Sequence, residues 1–308
     1  MGRFAPSPTG RMHAGNIYAS LVAWLIAKSQ GGKMILRIED LDRDRSKEDY
    51  ISQVMRDYEM LGFTWDEGPY YQHNRDEAYE QAYRKLEAEC GVYPCFCSRS
   101  DLKAAASAPH LGEKWVYVGT CKHLTEEERA VKSLDKNPSY RLIVPDETFS
   151  FVDQVQGAFS QNLAYECGDF LIRRADGMFA YQLAVTVDDG AQGVNSVVRG
   201  YDLITSSPQQ MFILEKLGYP APTYAHVPLL VNQQGKRLSK RDKDASIDLM
   251  LETFGTVEAL MGHIAYVGKI IEREEAVTPS DLLECFDIKK YAHRVMDEVG
   301  RLEPIIWQ

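Results

Sequence analysis

The sequence has 308 residues, with 35 Lys and Arg against 45 Asp and Glu, which gives a net charge of −10. Its hydrophobic fraction of 44% and charged fraction of 26% exclude a disordered or collagen-like chain, and the length predicts about two domains at roughly 150 residues each. The longest apolar stretch, at 17–27, is shorter than the roughly 18–20 residues of a membrane helix. No secretory leader is recognisable, so we expect a cytoplasmic protein that does not contact membranes.

A βαβ unit is predicted over the first 65 residues. A short apolar piece around Phe4 leads into a Pro/Ser/Gly turn at 6–10, and apolar residues then recur every four positions along a helix at 17–25. Two glycines at 31–32 end this helix. The run Met-Ile-Leu-Arg-Ile at 34–38 is typical of a strand buried in a parallel sheet.

The rest of the chain changes character twice. Between about residues 80 and 180, short strand-like runs such as 139–144 alternate with turns, which indicates an inserted domain. Strand-like segments resume at 179–187 and 196–199 and a helix follows; after a turn at 233–235 the tail is predicted to be mostly helical. The candidate buried positions of the tail are Leu249, Leu251, Leu260, Ile264, Leu282 and Leu283.

A candidate anion site lies at the start of the first helix. The segment 6–16 joins a strand to this helix through small residues, and free N–H groups at a helix start can face an anion. His13 can donate to a phosphate oxygen, and Gly15 lets a nucleotide approach the backbone closely. The alternative is an ordinary strand-to-helix connection with a surface histidine.

A second candidate is the basic loop Gly-Lys-Arg-Leu-Ser-Lys-Arg at 235–241. Cations in a glycine-led loop suit the negative charge that builds on phosphoryl oxygens during transfer. The alternative is a solvated basic loop without a ligand.

Charged residues at strand ends form a third candidate. Arg3 lies beside the first strand, Arg199 ends a Val-Val strand, and Glu39 follows the strand at 34–38. Ligands of open α/β sheets bind beyond the carboxyl ends of strands, where arginine can bind a carboxylate through two parallel bonds. Glu39 can accept from an ammonium group, and Tyr181 can add a hydroxyl. The alternative is a structural ion pair between Arg199 and Glu39.

Three cysteines, Cys95, Cys97 and Cys121, raise the question of a metal. A structural zinc needs four ligands in tetrahedral geometry, and from chemistry alone His123 or His110 would supply the fourth. The alternative is a set of buried free thiols. The remaining cysteines, Cys90, Cys167 and Cys285, are predicted to be core residues.

Taken together, these segments resemble the catalytic core of class I aminoacyl-tRNA synthetases of the glutamyl type. The opening RFAPSPTG at 3–10 and the blocks RIEDLD at 37–42 and VRGYDL at 198–203 resemble sequence blocks of this family. HAGN at 13–16 resembles the HIGH motif, and RLSKR at 237–241 resembles KMSKS. Five blocks in the right order are far more specific than any one of them.

Three positions depart from the family pattern. Asn16 stands where HIGH has its last histidine, and Arg237 stands where KMSKS has its first lysine. Gln209 stands where the family often has arginine. Asn16 still donates hydrogen bonds and Arg237 keeps a positive charge, so the resemblance still implies an active enzyme.

The resemblance implies an α/β fold, with a Rossmann-type core divided by an inserted α+β domain that carries zinc. Its fourth zinc ligand would be Tyr117, because the family places Tyr-x-x-x-Cys after Cys-x-Cys; the metal ligands would then be Cys95, Cys97, Tyr117 and Cys121. The implied parts are the first Rossmann half at 1–80, the insertion at 81–178, the second half with the KMSKS-like loop at 179–242, and a helical tail at 243–308.

The resemblance also implies L-glutamate and ATP with Mg²⁺ as substrates. The implied glutamate-binding residues are Arg3, Phe4, Ala5, Pro6, Ser7, Glu39, Tyr181 and Arg199. The implied ATP-binding residues are His13, Gly15, Asn16, Arg237, Ser239 and Lys240, of which His13 and Lys240 would be catalytic. No Ser/His/Asp nucleophile is proposed, because the reaction needs no covalent enzyme intermediate.

Only 68 residues follow Lys240, which is short for the anticodon-reading module of an ordinary glutamyl synthetase. The chain therefore resembles a shorter branch of the family, which activates glutamate without tRNA and transfers it to queuosine in the anticodon of tRNA-Asp. We expect a monomer that contacts the tRNA anticodon arm through candidate phosphate-binding residues. These are Arg173, Arg174, Lys289, Lys290 and Arg294.

The alternatives are a truncated glutamyl-tRNA-Glu synthetase, a non-catalytic paralogue that binds glutamate or nucleotide, and a small-molecule nucleotidyltransferase with a HIGH-type loop.

Overall fold

The computed structural model describes residues 1–98, 101, 116–236, 238 and 247–307. Its N-terminal part is the predicted β-α-β arrangement, extended by a further helix and strand. The elements are β1 (Gly2–Phe4), α1 (Ala14–Ser29), β2 (Met34–Ile38), α2 (Glu48–Met60) and β3 (Glu67–Tyr71), followed by a 3₁₀ turn at Gln72–Asn74. The three strands are parallel in the order β1-β2-β3, and every residue of β2 is buried. The predicted βαβ unit is therefore confirmed.

The middle of the chain contains antiparallel strands. Its elements are α3 (Asp76–Cys90), β4 (Val92–Cys95), α4 (Glu126–Asp135), β5 (Ser139–Leu142), β6 (Thr148–Asp153), β7 (Gly157–Asn162), α5 (Leu163–Glu166) and β8 (Phe170–Arg173). Strands β4, β5 and β8 form one antiparallel sheet, and β6 and β7 form a separate hairpin. The strand predicted at 139–144 is confirmed in its first four residues. The inserted domain and its boundaries stay a prediction.

One predicted strand is wrong. The segment 179–187 enters a helix, α6 (Tyr181–Ala191), instead of a sheet. Residues 183–189 are all buried, so the segment has no exposed face whose spacing would reveal the helical period. A short, continuously apolar run fits a buried strand and a buried helix equally well.

A second parallel pair of strands follows α6. The elements are β9 (Ser196–Gly200), a 3₁₀ turn at Tyr201–Leu203, α7 (Ser206–Leu217), β10 (Thr223–Val227) and β11 (Leu230–Val231). Strands β9 and β10 are parallel, and Arg199 lies directly opposite His226 in their register. The backbone N–H groups of Asn195 and Ser196 donate to the carbonyl of Met1, which joins the start of β9 to the start of β1.

The tail is mostly helical, as predicted. It consists of α8 (Ile247–Phe254), α9 (Val257–Val267), α10 (Pro279–Cys285), α11 (Ile288–Glu298) and β12 (Ile305–Ile306), which pairs with β11. Three of the six predicted core positions, Leu260, Ile264 and Leu282, are buried, whereas Leu249, Leu251 and Leu283 are half-buried because they lie at the edges of the apolar helix faces.

The tail packs on the first helix. The Tyr18 hydroxyl of α1 lies 2.6 Å from the Tyr291 hydroxyl of α11 and donates to the Gly268 carbonyl at 3.0 Å. Both tyrosines are fully buried in the same core, so the tail and the N-terminal unit share one apolar interior. Within the described ranges, no helix has the length and apolar character needed to cross a membrane.

Candidate active site

A cavity of about 510 Å³ opens where several elements of the two parallel sheets end. Segments that follow β1 and β2, the start of α1, the start of α6 and the end of β9 contribute to its wall. Eleven residues predicted for the site line it: Arg3, Phe4, Ala5, Pro6, Ser7, His13, Gly15, Asn16, Glu39, Tyr181 and Arg199. Arg237, Ser239 and Lys240 lie outside the described residues, and the roles of all these side chains stay predictions.

The start of α1 is built around His13 and Asn16. His13 is the N-cap residue with an extended backbone, and its N–H donates to the Asn16 side-chain oxygen at 3.3 Å. The first turn contains no acidic residue, so no carboxylate competes there with an incoming anion. A Cβ at Gly15 would lie 3.2 Å from the His13 ring. Gly15 therefore gives room to the His13 ring, and its role beside a nucleotide stays a prediction.

Arg3 and Glu39 belong to one buried ion network. The Arg3 Nε donates to Asp189 Oδ1 at 3.0 Å. Arg37, which is fully buried, lies 2.7 Å from the same Asp189 oxygen and 3.3 Å from Glu39 Oε1. Asp189 and Arg37 therefore link the predicted carboxylate-binding arginine to the predicted ammonium-binding glutamate. Neither residue was predicted for the site.

The two carboxylates of this network differ in their electrostatics. Burial opposes ionisation of Asp189, but the charges of Arg3 and Arg37 outweigh it and hold its pKa below the ordinary value. Burial dominates at Glu39 and raises its pKa in spite of the Arg37 and Arg3 charges. Glu39 would therefore gain more than Asp189 from an additional cation, such as a substrate ammonium group.

The neighbouring Asp188 anchors α6. Its carboxylate accepts from Gln72 Nε2 at 2.8 Å, from Arg75 Nε at 2.5 Å and from the Tyr79 hydroxyl at 2.8 Å. These donors lie in the 3₁₀ turn and in or next to α3, so Asp188 fixes the helix that carries both Asp189 and Tyr181.

Arg199 has a different environment from Arg3. Its Nε donates to His226 Nε2 at 3.2 Å and its Nη2 donates to Ser207 Oγ at 2.8 Å. The buried Nη1 has no hydrogen-bond partner within the described part of the chain. The alternative of an Arg199–Glu39 ion pair is therefore wrong. Glu39 pairs instead with Arg37, which lies inside β2 two residues earlier in the chain.

Tyr181 lies at the start of α6 and is 38% exposed. Its hydroxyl interacts electrostatically with Arg199, Glu39 and Arg3, and burial raises its pKa. The hydroxyl therefore stays protonated at neutral pH and is available as a hydrogen-bond donor beside the two arginines.

The cysteine cluster forms a second site. The Sγ atoms of Cys95, Cys97 and Cys121 lie within 4.8 Å of one another. The Tyr117 hydroxyl lies 3.5 Å from Cys95 Sγ and 3.9 Å from Cys97 Sγ. His123 is exposed and lies outside the cluster, and His110 falls in the undescribed range. Of the two candidate fourth ligands that the structure describes, Tyr117 lies beside the thiols and His123 does not.

The electrostatics of the cluster favour a bound cation. Burial opposes ionisation of Cys95, but hydrogen bonds from Tyr117 and Arg141 outweigh it and lower the pKa of this thiol. Burial and the neighbouring Cys95 raise the pKa of Cys97 to about 12. One thiolate thus suppresses the ionisation of the next, and a divalent cation is the group that would let all three ionise. Three sulfurs and a phenol oxygen fit zinc.

The other three cysteines are not all core residues. Cys90 and Cys167 are half-buried, and Cys285 is exposed. The prediction for Cys285 is wrong because α10 is a short surface helix that buries only Pro279 and Leu282.

The predicted phosphate contacts are only partly available. Arg173 lies 3.3 Å from Glu80, Arg174 lies 2.6 Å from Asp176, and Arg294 donates to the Ile270 carbonyl and to Glu272. Lys289 and Lys290 are exposed. Gln209 donates to the Thr205 carbonyl at 3.3 Å, so its amide is engaged with its own helix.

Comparisons with known proteins agree with these observations. A family profile described as tRNA synthetases class I (E and Q), catalytic domain, matches residues 1–296. A protein of Symbiobacterium thermophilum named Glutamyl-Q tRNA(Asp) synthetase is 43% identical over 94% of this chain and 93% of its own length. A protein of Nitratidesulfovibrio vulgaris with the same name is 42% identical over 91% of this chain and 90% of its own length.

Solved structures show the same relationship. A glutamate-tRNA synthetase from Elizabethkingia anophelis superposes with a TM-score of 0.78 at 25% identity, over 99% of this chain and 67% of that enzyme. A glutamate tRNA ligase from Elizabethkingia meningosepticum gives a TM-score of 0.76 at 27% identity, over 94% of this chain and 64% of that enzyme. The chain thus spans about two thirds of the length of these solved enzymes.

Proposed function

Because the chain belongs to the class I tRNA synthetases of the glutamate and glutamine type, and is a ligase with their α/β catalytic fold, we propose that it activates L-glutamate with ATP without needing tRNA and transfers it to queuosine in the anticodon of tRNA-Asp. One observation carries the activation step: Arg3, Glu39, Tyr181 and Arg199 line one cavity with the start of α1. The names of the relatives support the transfer step.

Glutamate would bind with both carboxylates on guanidinium groups. Arg3 and Arg199 take the carboxylates, Glu39 takes the ammonium, and Ser7 and Tyr181 add hydrogen bonds. The buried Nη1 of Arg199, which has no hydrogen-bond partner among the described residues, supports this binding mode. A buried cationic donor without a partner destabilises the protein until a ligand accepts its hydrogen bond. Glutamine is rejected because an amide in place of the carboxylate leaves a buried cation poorly paired.

ATP would lie across the N-terminus of α1, next to His13, Gly15 and Asn16. The α-carboxylate of glutamate attacks the α-phosphorus, the bond to the bridging oxygen breaks, and glutamyl-adenylate and pyrophosphate form, with Mg²⁺ accompanying the triphosphate. His13 and the loop residues Arg237, Ser239 and Lys240 would stabilise the charge that develops on the phosphoryl oxygens.

Lys240 provides a test of this assignment. Removing one preorganised donor costs about 100-fold or more in rate, so Lys240→Ala is expected to abolish glutamate-dependent pyrophosphate exchange. Lys33→Ala is the control, because Lys33 is a largely exposed lysine that pairs with Glu67 on the surface. Near-normal exchange in Lys240→Ala would refute the assigned role.

Zinc would be held by Cys95, Cys97, Tyr117 and Cys121, and it would cross-link β4 to the segment at 117–121. It takes no part in adenylate formation in this proposal. Its contribution is to stabilise the antiparallel sheet of β4, β5 and β8, at the end of β4 where Cys95 lies.

The decisive experiment is glutamate-dependent exchange of labelled pyrophosphate, run with and without tRNA, followed by transfer assays. We expect exchange without tRNA, and labelling by glutamate of tRNA-Asp that carries queuosine. Exchange that requires tRNA, with labelling of tRNA-Glu instead, would establish a truncated glutamyl-tRNA-Glu synthetase. Binding of glutamate or ATP without exchange would establish a non-catalytic paralogue.

A further inference from the structure

A buried chain of polar side chains lies behind Arg199. His226 of β10 is fully buried, and its Nε2 accepts from Arg199 Nε at 3.2 Å. On the other side of the ring, His226 Nδ1 lies 2.5 Å from Asp153 Oδ2. Ser207 Oγ lies 3.3 Å from His226 Nε2 and accepts from Arg199 Nη2. Asp153, His226 and Ser207 are thus connected by short polar contacts, and His226 and Ser207 hold the Arg199 guanidinium.

Ser207, His226 and Asp153 resemble a hydrolase triad in composition only. All three residues are at most 2% exposed, and the serine oxygen is occupied by the Arg199 guanidinium. No substrate carbonyl could reach it. Their arrangement therefore supports a neighbouring side chain and supplies no nucleophile.

The hydrogen bonds fix the tautomer of His226. Asp153 Oδ1 accepts three backbone N–H groups, from Val155 at 3.0 Å, Gln156 at 2.9 Å and His226 at 3.0 Å. The carboxylate is therefore an acceptor, and Nδ1 of the imidazole must donate to its second oxygen. Nε2 is left with a lone pair, to which Arg199 Nε donates.

The charge state follows from the same contacts. A proton on Nε2 would lie against the Arg199 cation and would remove the acceptor of the Arg199 Nε–H; it would have to turn to Ser207 Oγ at 3.3 Å, which already accepts from Arg199 Nη2. Burial lowers the pKa of His226 and the Arg199 charge adds to this effect, while Asp153 and Asp202 oppose it. The guanidinium is therefore held by neutral acceptors. Within the described ranges no carboxylate lies within salt-bridge distance of it, whereas Arg3 pairs directly with Asp189; Asp189 acts on Arg199 only from a longer distance.

We propose that His226 and Asp153 are positioning residues for Arg199, which hold its guanidinium in place through a neutral imidazole so that its full charge faces the carboxylate of the substrate. This inference rests on the proposed binding of glutamate at Arg199. It adds a support that lies outside the amino-acid cavity: neither His226 nor Asp153 lines it.

Two substitutions of His226 separate the acceptor function from the rest of the side chain. In His226→Gln, the amide oxygen can take the position of Nε2 and still accept from Arg199. In His226→Asn, the shorter amide reaches only the position of Nδ1, so the contact with Asp153 is kept and that with Arg199 is lost. We expect His226→Asn to raise the KM for glutamate about tenfold or more, the usual effect of losing one hydrogen bond to a charged group.

Comparing the KM for glutamate with the KM for ATP distinguishes a positioning role of His226 from a general loss of structure. In pyrophosphate exchange, His226→Asn should leave the KM for ATP within about twofold of the unmodified value, and His226→Gln should restore most of the glutamate KM. Tyr18→Phe is the stability control, because it breaks a buried hydrogen bond between α1 and the tail far from Arg199 in the chain. It should lower stability without changing the glutamate KM.

A spectroscopic measurement tests the tautomer without relying on activity. Long-range ¹H–¹⁵N spectra of the full chain at pH 7, with the His226 signals assigned by their absence in His226→Gln, should show Nδ1 protonated and Nε2 unprotonated. In Asp153→Asn the three backbone donors keep the amide oxygen in place, so the NH₂ group faces Nδ1. The imidazole should then switch to the Nε2–H form, and the KM for glutamate should rise.

The possible results separate this inference from the proposed function. No glutamate-dependent exchange by the unmodified protein would refute the proposed function, and the role of His226 with it. Normal exchange by the unmodified protein, together with an unchanged glutamate KM in His226→Asn, would refute the positioning role alone. An imidazolium or an Nε2–H tautomer at pH 7 would refute it as well.

Discussion

The contribution of the buried ion network to stability can be tested most directly at Asp189. Its carboxylate lies 3.0 Å from Arg3 and 2.7 Å from Arg37, and both arginines are at most 5% exposed. Asp189→Asn keeps the shape of the side chain and removes its charge, so two buried guanidinium groups lose their shared counter-ion. Arg37 retains Glu39 at 3.3 Å, whereas Arg3 has no other carboxylate within salt-bridge distance in the described ranges.

The expected cost follows from this geometry. Removing one partner of a buried ion pair destabilises a protein by about 3–5 kcal/mol, and the remaining Arg37–Glu39 pair favours the lower end. With an unfolding entropy of about 2.1 cal/mol/K per residue, a chain of 308 residues shifts by about 1.5 °C per kcal/mol, so a loss near 3 kcal/mol lowers Tm by roughly 5 °C. The KM for glutamate should rise as well, because Arg3 is no longer held, while the KM for ATP should change little.

The assay is thermal unfolding of the full chain, with Glu67→Gln as the matched control. Glu67 pairs with Lys33 at 3.1 Å at the surface, where an ion pair contributes about 0–1 kcal/mol. Its loss should therefore shift Tm by about 2 °C or less. If Asp189→Asn melts as close to the unmodified protein as Glu67→Gln does, the network does not stabilise the fold as argued.

The pH dependence gives a second check on Asp189. Because its pairing lowers the pKa below the ordinary carboxyl value, its contribution to the free energy of unfolding is complete above about pH 4. It is lost only as pH falls through the lowered pKa. The difference in stability between the unmodified protein and Asp189→Asn should therefore be constant from pH 7 to about pH 5.

Three further predictions follow. Purified protein should contain about one zinc per chain by emission spectroscopy; Cys121→Ser should lose it and melt at lower temperature, whereas His123→Ala should keep it. Loss of zinc in His123→Ala would make His123 the fourth ligand instead of Tyr117, and retention in Cys121→Ser would exclude Cys121 as a ligand. Since burial raises the pKa of Glu39, the KM for glutamate should increase as pH falls through that pKa, and Glu39→Gln should abolish this dependence; an equal dependence in the variant would exclude Glu39 as its source. Tyr18→Phe leaves the hydroxyl of Tyr291 without its partner and should cost about 1–3 kcal/mol in urea unfolding, and an unchanged midpoint would contradict the packing of the tail on α1.

The N-terminal unit was predictable because its segments have a clear period or a clear boundary. Helix α1 buries Ile17, Leu21 and Leu25, which are spaced one helical turn apart, and β2 is a short apolar run between glycines and acids. The segment at 183–189 has neither feature, because it is buried on all sides. Its helical state depends on contacts with residues more than 100 positions away, such as Tyr79, which no local pattern contains.

The wrong strand prediction at 179–187 also explains why the ion network was not predicted. Asp188 and Asp189 follow directly on the apolar run, and Arg37 interrupts a strand that is otherwise apolar. Charged residues inside buried segments are rarely tolerated without a partner, so each of these positions was a sign of pairing. The sequence could not pair them with each other, because this requires knowing that the end of α6 lies against β2. In contrast, the predicted cavity residues other than Tyr181 lie in the blocks that resemble those of the family.

The two arginines of the cavity are supported in opposite ways, and this bears on how glutamate would be recognised. The positive charge of Arg3 is already balanced in part by Asp189, which also carries the charge of Arg37. Arg199 is held by an imidazole and a hydroxyl, neither of which carries charge in the proposed tautomer. A buried guanidinium that lacks a counter-ion is destabilised until an anion binds to it. The free energy gained on binding a carboxylate is therefore larger at Arg199 than at Arg3, so the carboxylate that Arg199 takes is the one whose replacement by an amide would cost most in the proposed function.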